Sequence, residues 1–117
     1  MSASPGTIVI TGASRGIGAA TAALAAEAGY RVCINYRRES AAADRMVRDI
    51  VAAGGEAISV AADVSDETAV RAMFAEAEDR LGPLTVLVNN AGIVGTQAGF
   101  GDIDTARFSR ILNTNVI

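Results

Sequence analysis

Residues 11–18, with the sequence TGASRGIG, have the composition of a loop that binds phosphate groups. Glycines stand at positions 12, 16 and 18, after a β-branched run and before an Ala-rich segment. Gly12 permits a tight turn, Gly16 lets the backbone approach a pyrophosphate, and Gly18 lets a helix pack closely on a strand. The N-terminus of that helix attracts negative charge. A Gly-rich turn without a ligand remains the alternative, because such a turn alone is weak evidence.

Basic residues follow a second β-branched run, RVCINY at 31–36. A site for NAD usually has Asp or Glu here, bonded to the ribose 2′-hydroxyl, whereas this sequence has Tyr36, Arg37 and Arg38. Arg binds a 2′-phosphate through charge-assisted hydrogen bonds, and Arg15 of the Gly-rich loop is a plausible second partner. The pattern therefore favours NADP over NAD. As an alternative, these Arg residues are ordinary solvated charges of a loop.

An acidic residue follows the third apolar run, AISVAA. Asp63 can accept a hydrogen bond from an adenine amino group, with Val64 offering its backbone and an apolar wall. Asp63 can equally help to start the next helix, since Asp is frequent at that position. The spacing alone leaves both readings open.

Two Asn residues, Asn89 and Asn90, end the fourth apolar run, LTVLV. Adjacent Asn residues are unfavourable in a buried strand unless their amides are hydrogen-bonded, so we expect them to hold neighbouring loops. The next residues, Ala91 and Gly92, are small enough to admit a ribose close to the backbone. An ordinary Asn-Gly turn fits poorly because a buried strand precedes it.

Strands and helices must alternate to place these residues together. Alternation at this spacing predicts a parallel sheet with right-handed crossovers, hence a doubly wound α/β fold with strand order 3-2-1-4. Ligands of such sheets bind beyond the carboxyl ends of the strands, where the loops after Thr11, Ala62 and Val88 converge. Strands are expected at residues 7–11, 31–36, 57–63 and 84–88.

Apolar residues at helical spacing predict which face each helix packs on the sheet. We expect Gly29 to close the first helix, Ser40 to cap the second and Ser65 to start the third. The predicted faces are Ile17, Ala20, Leu24 and Ala28 in the first helix, Ala43, Val47 and Ile50 in the second, and Val70, Met73, Phe74, Ala77 and Leu81 in the third.

Composition excludes several classes of protein. The 117 residues are 50% hydrophobic and carry a net charge of −3 with scattered Arg residues, so we expect one globular domain and no nucleic-acid partner. No apolar run approaches the roughly 20 residues of a membrane span, and the start, MSASPG, has no secretion signal, which predicts a cytoplasmic protein without a membrane partner. The chain has no His, so we expect no metal site, and Cys33 is expected to be a reduced core thiol.

Four motifs in order resemble the short-chain dehydrogenase/reductase family, classical type: TGASRGIG, the Asp63–Val64 pair, NNAG at 89–92, and NTNV at 113–116. The resemblance covers essentially the whole chain and implies a Rossmann fold. It also implies reversible hydride transfer between a nicotinamide and a small carbonyl or alcohol. The segment INYRR resembles glucose/ribitol dehydrogenase-like and ketoacyl-reductase-like members that accept NADP.

The resemblance also assigns roles to individual residues. Arg37 meets the 2′-phosphate, with Tyr36 beside it, and Asp63 and Val64 meet the adenine. Asn115 matches the family's active-site Asn, which kinks its helix and holds a water in the proton relay; a polar helix residue on a wet face is the alternative. The residues implied to line the pyrophosphate and adenosine side are Gly12, Ser14, Arg15, Gly16, Ile17 and Gly18, and those implied at the ribose are Asn90, Ala91 and Gly92.

The family's reaction centre is almost wholly missing from this sequence. Its general acid/base is a Tyr followed four residues later by a Lys, but neither Tyr30 nor Tyr36 has that partner, and all ten basic residues are Arg. We therefore expect residues 1–117 to be one NAD(P)-binding domain, truncated within the helix after the fourth strand, and inactive alone. The parent enzyme is expected to be a homo-oligomer, a dimer or tetramer. The alternative is a non-catalytic module that binds or senses a dinucleotide.

Overall fold

The computed structural model describes residues 5–14 and 16–90, which form four parallel strands and three helices in alternation. The strands pair in the order β3-β2-β1-β4, which confirms the predicted doubly wound α/β fold. The helix expected after the fourth strand lies outside the described residues. The elements are β1 (Thr7–Ile10), α1 (Gly16–Glu27), β2 (Arg31–Tyr36), α2 (Ser40–Ala52), β3 (Ala57–Ala61), α3 (Glu67–Leu81) and β4 (Leu84–Val88).

Helices cover both faces of the sheet. Side chains alternate along a strand, so Ile8 and Ile10 of β1 pack with α1 and α2, whereas Val9 packs with α3 on the opposite face. All four residues of β1 are buried. This double cover explains why β1 and β2 read as nearly continuous apolar runs.

Helix α3 packs the predicted face but begins one residue later than predicted. Asp66 caps it, accepting hydrogen bonds from the backbone N–H groups of Thr68 and Ala69 at 2.9 and 3.2 Å. The prediction that Ser65 starts the helix is wrong, because its hydroxyl donates instead to Asp63 Oδ1 at 2.7 Å. The buried face is the predicted one, Val70, Met73, Phe74, Ala77 and Leu81.

Helix α1 packs a different face from the one predicted. Ile17 and Leu24 are 73% and 66% exposed, whereas Gly18, Ala22 and Ala25 are buried. The buried residues are all Gly or Ala, so the backbone of α1 can approach β1 closely, and bulkier side chains on that face would hold it away. The larger apolar residues therefore mark the outer side of α1. Ala20 and Ala28, also predicted at the sheet, are exposed.

Helix α2 packs the predicted face on the sheet. Ala43 and Ile50 are buried, and Val47 is partly buried against the apolar cluster that α1 and α2 form with β1 and β2. The prediction that Ser40 caps it is wrong. Ser40 is the first helical residue, and the cap is Glu39, whose φ of −93° and ψ of 64° are not helical and whose side chain makes no capping hydrogen bond. A backbone bond from Ser40 N–H to Arg38 O at 3.0 Å tightens the turn that precedes the helix.

Cys33 is fully buried on β2. Burial, with a smaller contribution from Glu76, raises the pKa of its thiol to about 12, so the thiol stays protonated at neutral pH. Within residues 5–14 and 16–90, no group of three or more His, Cys, Asp and Glu side chains is arranged to hold a metal ion. In the same ranges, no helix has the length and apolar character to cross a membrane.

Candidate functional site

The candidate site lies where the carboxyl ends of the strands meet, because all strands of a parallel sheet end at the same edge. The loop after β1 carries the glycines, β2 is followed by Arg37, β3 by Asp63, and β4 by Asn90. The structure thus brings together the loops predicted to converge. Four predicted site residues, Arg15, Ala91, Gly92 and Asn115, lie outside the described residues.

Gly12 is held from both sides by Asn side chains, one from β2 and one from the segment that follows β4. Its N–H donates to Asn35 Oδ1 at 3.0 Å, and its carbonyl accepts from Asn90 Nδ2 at 3.0 Å. The Thr11 hydroxyl donates to Asn89 Oδ1 at 3.3 Å. These contacts confirm that the two Asn residues after β4 hold a neighbouring loop. Because β1 lies between β2 and β4, the turn that leaves it is fixed from two directions.

The three glycines of this loop serve different purposes in the backbone. Gly12 and Gly16 have φ values of 60° and 67°, a region that favours glycine. A Cβ on Gly18 would lie 2.7 Å from both Gly12 O and Asn90 Nδ2. A Cβ on Gly16 would have no contact within 4 Å in the part of the chain that the structure describes. Gly18 therefore permits internal packing, and Gly16 borders open space beside the start of α1.

The N-terminus of α1 faces this open space with the polarity that an anion requires. The first N–H groups of a helix have no intrahelical partners, and the aligned peptide dipoles make this end positive. The first turn of α1 contains no acidic residue that would oppose an anion. Ile17 in that turn is exposed, and Ser14 precedes it in the loop, half-buried. The arrangement suits a phosphate group.

Arg37 and Asp63 form an ion pair across the ends of β2 and β3. Their Nη2 and Oδ2 atoms lie 3.2 Å apart, and the side chains are 64% and 38% exposed. Arg37 is therefore neither buried nor simply solvated. Its contact with a 2′-phosphate stays a prediction.

Asp63 also organises the turn that leads into α3. Its Oδ1 accepts hydrogen bonds from Ser65 N–H at 3.0 Å and from the Ser65 hydroxyl at 2.7 Å, although Asp66 is the cap. One of the two predicted roles of Asp63 is to help start α3. Asp63 does so indirectly, because it holds Ser65 in the turn before the cap, Asp66. Val64 beside it is partly buried against the α3 cluster. The adenine contact of these two residues stays a prediction.

Two residues at the end of β2 connect the site to the sheet. Tyr36 is half-buried against the α1 and α2 cluster, and its carbonyl accepts from Ala62 N–H at 3.0 Å. Asn35, 2% exposed, was not among the residues predicted for the site, although it stands within a predicted strand. Its residue type is the signal that could have identified it, because an amide in an apolar strand needs hydrogen-bond partners, as Asn89 and Asn90 do.

The carboxyl group of Asp63 should respond to its hydrogen bonds more than to its ion pair. The Ser65 hydroxyl and then the Ser65 N–H hold the pKa of Asp63 below its usual range, and Arg37 and Arg38 add a smaller attraction. We expect Ser65→Ala to raise this pKa more than Arg37→Ala does, as measured by an NMR titration of the carboxyl carbon. Ser59→Ala, which removes a matching serine bond to Asp44, is the control.

The sign of the accompanying change in stability follows from the direction of that pKa shift. A carboxyl group with a lowered pKa in the folded state stabilises the fold above its unfolded pKa. This contribution is lost as the pH falls through the folded pKa. A larger effect of Arg37→Ala than of Ser65→Ala on the pKa of Asp63 would contradict the assignment.

Comparisons with known proteins identify relatives over nearly the whole chain. A family model described as short chain dehydrogenase matches residues 6–117. The oxidoreductase YgfF of Escherichia coli is 46% identical over 108 residues, which are 92% of this chain and 44% of that protein. A 3-oxoacyl-[acyl-carrier-protein] reductase of Synechocystis is 48% identical over 85 residues, 73% of this chain and 34% of that protein.

The fold is shared with solved structures at substantial sequence identity. A metagenomic short-chain oxidoreductase, solved in complex with NADP, is 44% identical and superposes with a TM-score of 0.69, over 77% of this chain and 40% of that protein. The present chain spans less than half the length of these relatives.

Proposed function

The chain belongs to the short-chain dehydrogenase family, and on that premise we propose that it is the NADP-binding part of an oxidoreductase. The observation that carries the proposal is the Gly-rich loop, whose Gly12 is clamped by Asn35 and Asn90 beside the open N-terminus of α1. A dinucleotide held by this loop would supply or accept the hydride of the reaction. The proposed reaction partner is a small carbonyl or alcohol, and the proposed assembly of the whole protein is a dimer or tetramer.

The backbone of the Gly-rich loop is proposed to hold the pyrophosphate. Among the described residues, no atom lies within 4 Å of a Cβ built on Gly16, so the space beside the positive end of α1 fits a doubly charged group. Gly12 and Gly18 shape the loop and its packing against the sheet. The other residues proposed to line this part of the cofactor are Ser14, Arg15 and Ile17.

The adenosine end is proposed to lie across the ends of β2 and β3. Arg37 and Tyr36 would border the 2′-phosphate, and Asp63 and Val64 would border the adenine. A guanidinium group has five N–H donors, so the contact of Nη2 with Asp63 leaves other donors for a phosphate. The complex of the metagenomic relative with NADP supports the choice of cofactor. For the ribose and the reaction centre, the proposed residues are Asn90, Ala91, Gly92 and Asn115.

Titration of the full-length protein with NADPH and NADH tests the cofactor proposal. We expect saturable binding of both, with NADPH bound more tightly. If neither dinucleotide binds, the proposed function is wrong. If NADH binds as tightly as NADPH or more tightly, only the assignment of NADP is wrong.

A non-catalytic module that binds or senses a dinucleotide is the second candidate, because the contacts that support the proposal concern binding of the cofactor and not transfer of a hydride. Oxidation of NADPH with a panel of small aldehydes and ketones, followed by absorbance, separates the two candidates. Turnover of any panel member by the full-length protein favours the oxidoreductase. Tight NADPH binding with no turnover across the panel favours the module.

Arg37→Ala is expected to weaken binding of NADPH roughly tenfold, as for the loss of a charge-assisted contact, while leaving NADH affinity nearly unchanged. The reason is that only NADPH carries the 2′-phosphate. Calorimetric titration of both cofactors measures the change. Arg48→Ala removes an exposed Arg of α2 and is the control for net charge. Equal losses for NADPH and NADH would contradict the role of Arg37.

A further inference from the structure

Asn35 connects three segments of the candidate site through one buried side chain. Its Oδ1 accepts from Gly12 N–H at 3.0 Å, and its Nδ2 donates to Ala62 O at 3.1 Å and to Val60 O at 3.4 Å. The side chain is almost fully buried, with 2% of the residue exposed. An amide in a buried strand is costly unless it is hydrogen-bonded, and here both ends of the amide have partners.

The position of β2 in the sheet explains how one residue reaches both neighbours. Strand β2 lies between β1 and β3, so the carboxamide of Asn35 can point its oxygen to the loop after β1 and its nitrogen to the end of β3. The backbone carbonyl of Asn35 adds a bond from Ala13 N–H at 3.0 Å. Two successive N–H groups of the Gly-rich loop therefore end on this residue, which fixes the direction in which the loop leaves the sheet.

We propose that Asn35 is a positioning residue for the dinucleotide, holding the pyrophosphate loop and the adenine loop in register with each other. The inference rests on the proposed function. Gly12 begins the loop proposed to hold the pyrophosphate, and Ala62 immediately precedes Asp63 and Val64, which are proposed to border the adenine. Asn35 acts on the cofactor only through these loops, since its side chain is buried beneath them.

The pattern of partners explains why an amide occupies this position. The site requires one acceptor facing Gly12 N–H and one donor facing Ala62 O, and a carboxamide of this length supplies both from a rigid plane. Leucine has a similar shape but would remove the hydrogen bonds to Gly12 N–H and to Ala62 O. The loops would then be free to shift relative to each other by the small distances that weaken binding of a ligand held at both ends.

The test compares Asn35→Leu and Asn35→Ser with Thr7→Val in the full-length protein. Thr7 is fully buried on β1, and its hydroxyl donates to Leu81 O at 3.2 Å, at the amino ends of the strands. Thr7→Val therefore removes a buried hydrogen bond, as the Asn35 variants do, but far from the candidate site. Thermal unfolding reports stability, and calorimetric titration reports the Kd for NADPH well below each midpoint. Steady-state kinetics gives the KM for NADPH and kcat.

We expect both Asn35 variants to raise the Kd and KM for NADPH, by about tenfold in Asn35→Leu, while kcat at saturating NADPH changes little. Thr7→Val should lose stability with an unchanged Kd. Asn35→Ser provides the comparison if Asn35→Leu does not fold. Unchanged affinity in the Asn35 variants, or an equal loss in Thr7→Val, would overturn the inference and leave the proposed function intact. Failure of the unmodified protein to bind NADPH or NADH would instead overturn the proposed function.

Discussion

Gly18→Ala is expected to abolish most binding of NADPH and to lower the stability of the protein by about 1 to 3 kcal/mol, the usual range for overpacking. The added Cβ would lie 2.7 Å from Gly12 O and Asn90 Nδ2, and 2.8 Å from Ala13 Cα. Two of these atoms belong to the backbone, which cannot move aside cheaply. The third belongs to the amide that holds Gly12, so relieving the clash breaks that hydrogen bond.

Thermal unfolding and calorimetric titration with NADPH measure the two effects separately. Gly55→Ala is the matched control, since its Cβ would meet Ile50 Cγ2 at 2.8 Å before β3, at the edge of the sheet opposite the candidate site. That variant should lose stability without losing affinity. Near-normal affinity in Gly18→Ala would show that the hydrogen bond between Asn90 and Gly12 is not needed to bind the cofactor.

The sequence was sufficient to predict the strand order and most of the packing, because these features depend on local signals. Four apolar runs separated by helical segments allow few topologies once crossovers are right-handed. The buried face of α3 follows the 3.6-residue period without exception, from Val70 to Leu81. In both cases the residue types that favour the local structure also favour the tertiary arrangement.

The wrong predictions concern places where two neighbouring residues can each cap a helix, or where the volume of a side chain matters more than its hydrophobicity. Ser65 and Asp66 can each cap a helix, and the outcome depends on Asp63, whose carboxylate takes the Ser65 hydroxyl. In α1, close approach to the sheet selects the small residues Gly18 and Ala22 over Leu24, which a hydrophobic period alone ranks higher. The helical period of the sequence identifies the most apolar face of a helix, whereas the face that packs on the sheet also depends on the volume of its side chains.

The contacts that organise the candidate site were the least predictable from sequence. Asn90 bonds to Gly12 across 78 residues of chain, and Asn35 bonds to Ala62 across 27. Residue type indicated that such amides need partners, but the partners depend on which strands are neighbours. Once the strand order β3-β2-β1-β4 is known, the possible hydrogen-bond partners of each Asn are limited to the loops beside it.

Gly16→Ala is expected to weaken NADPH binding at least tenfold although the protein itself has room for the new methyl group. No described atom lies within 4 Å of a Cβ built on Gly16, so the variant creates no clash. The φ of 67° costs an L-residue roughly 1 to 2 kcal/mol, a loss of stability independent of any ligand. The further loss of affinity, measured by calorimetric titration, follows if the pyrophosphate occupies the space that the methyl group fills.

Gly54→Ala separates backbone strain from occupation of the cofactor site. Gly54 has a φ of 96°, and none of the described atoms lies within 4 Å of a Cβ built on it. It follows α2, away from the carboxyl ends of the strands. Both variants should therefore lose comparable stability, but only Gly16→Ala should lose affinity for NADPH. Equal affinities in the two variants would place the pyrophosphate away from Gly16. Because neither methyl group touches the described protein, a difference in affinity between them reports on the space at Gly16 and not on a rearranged core.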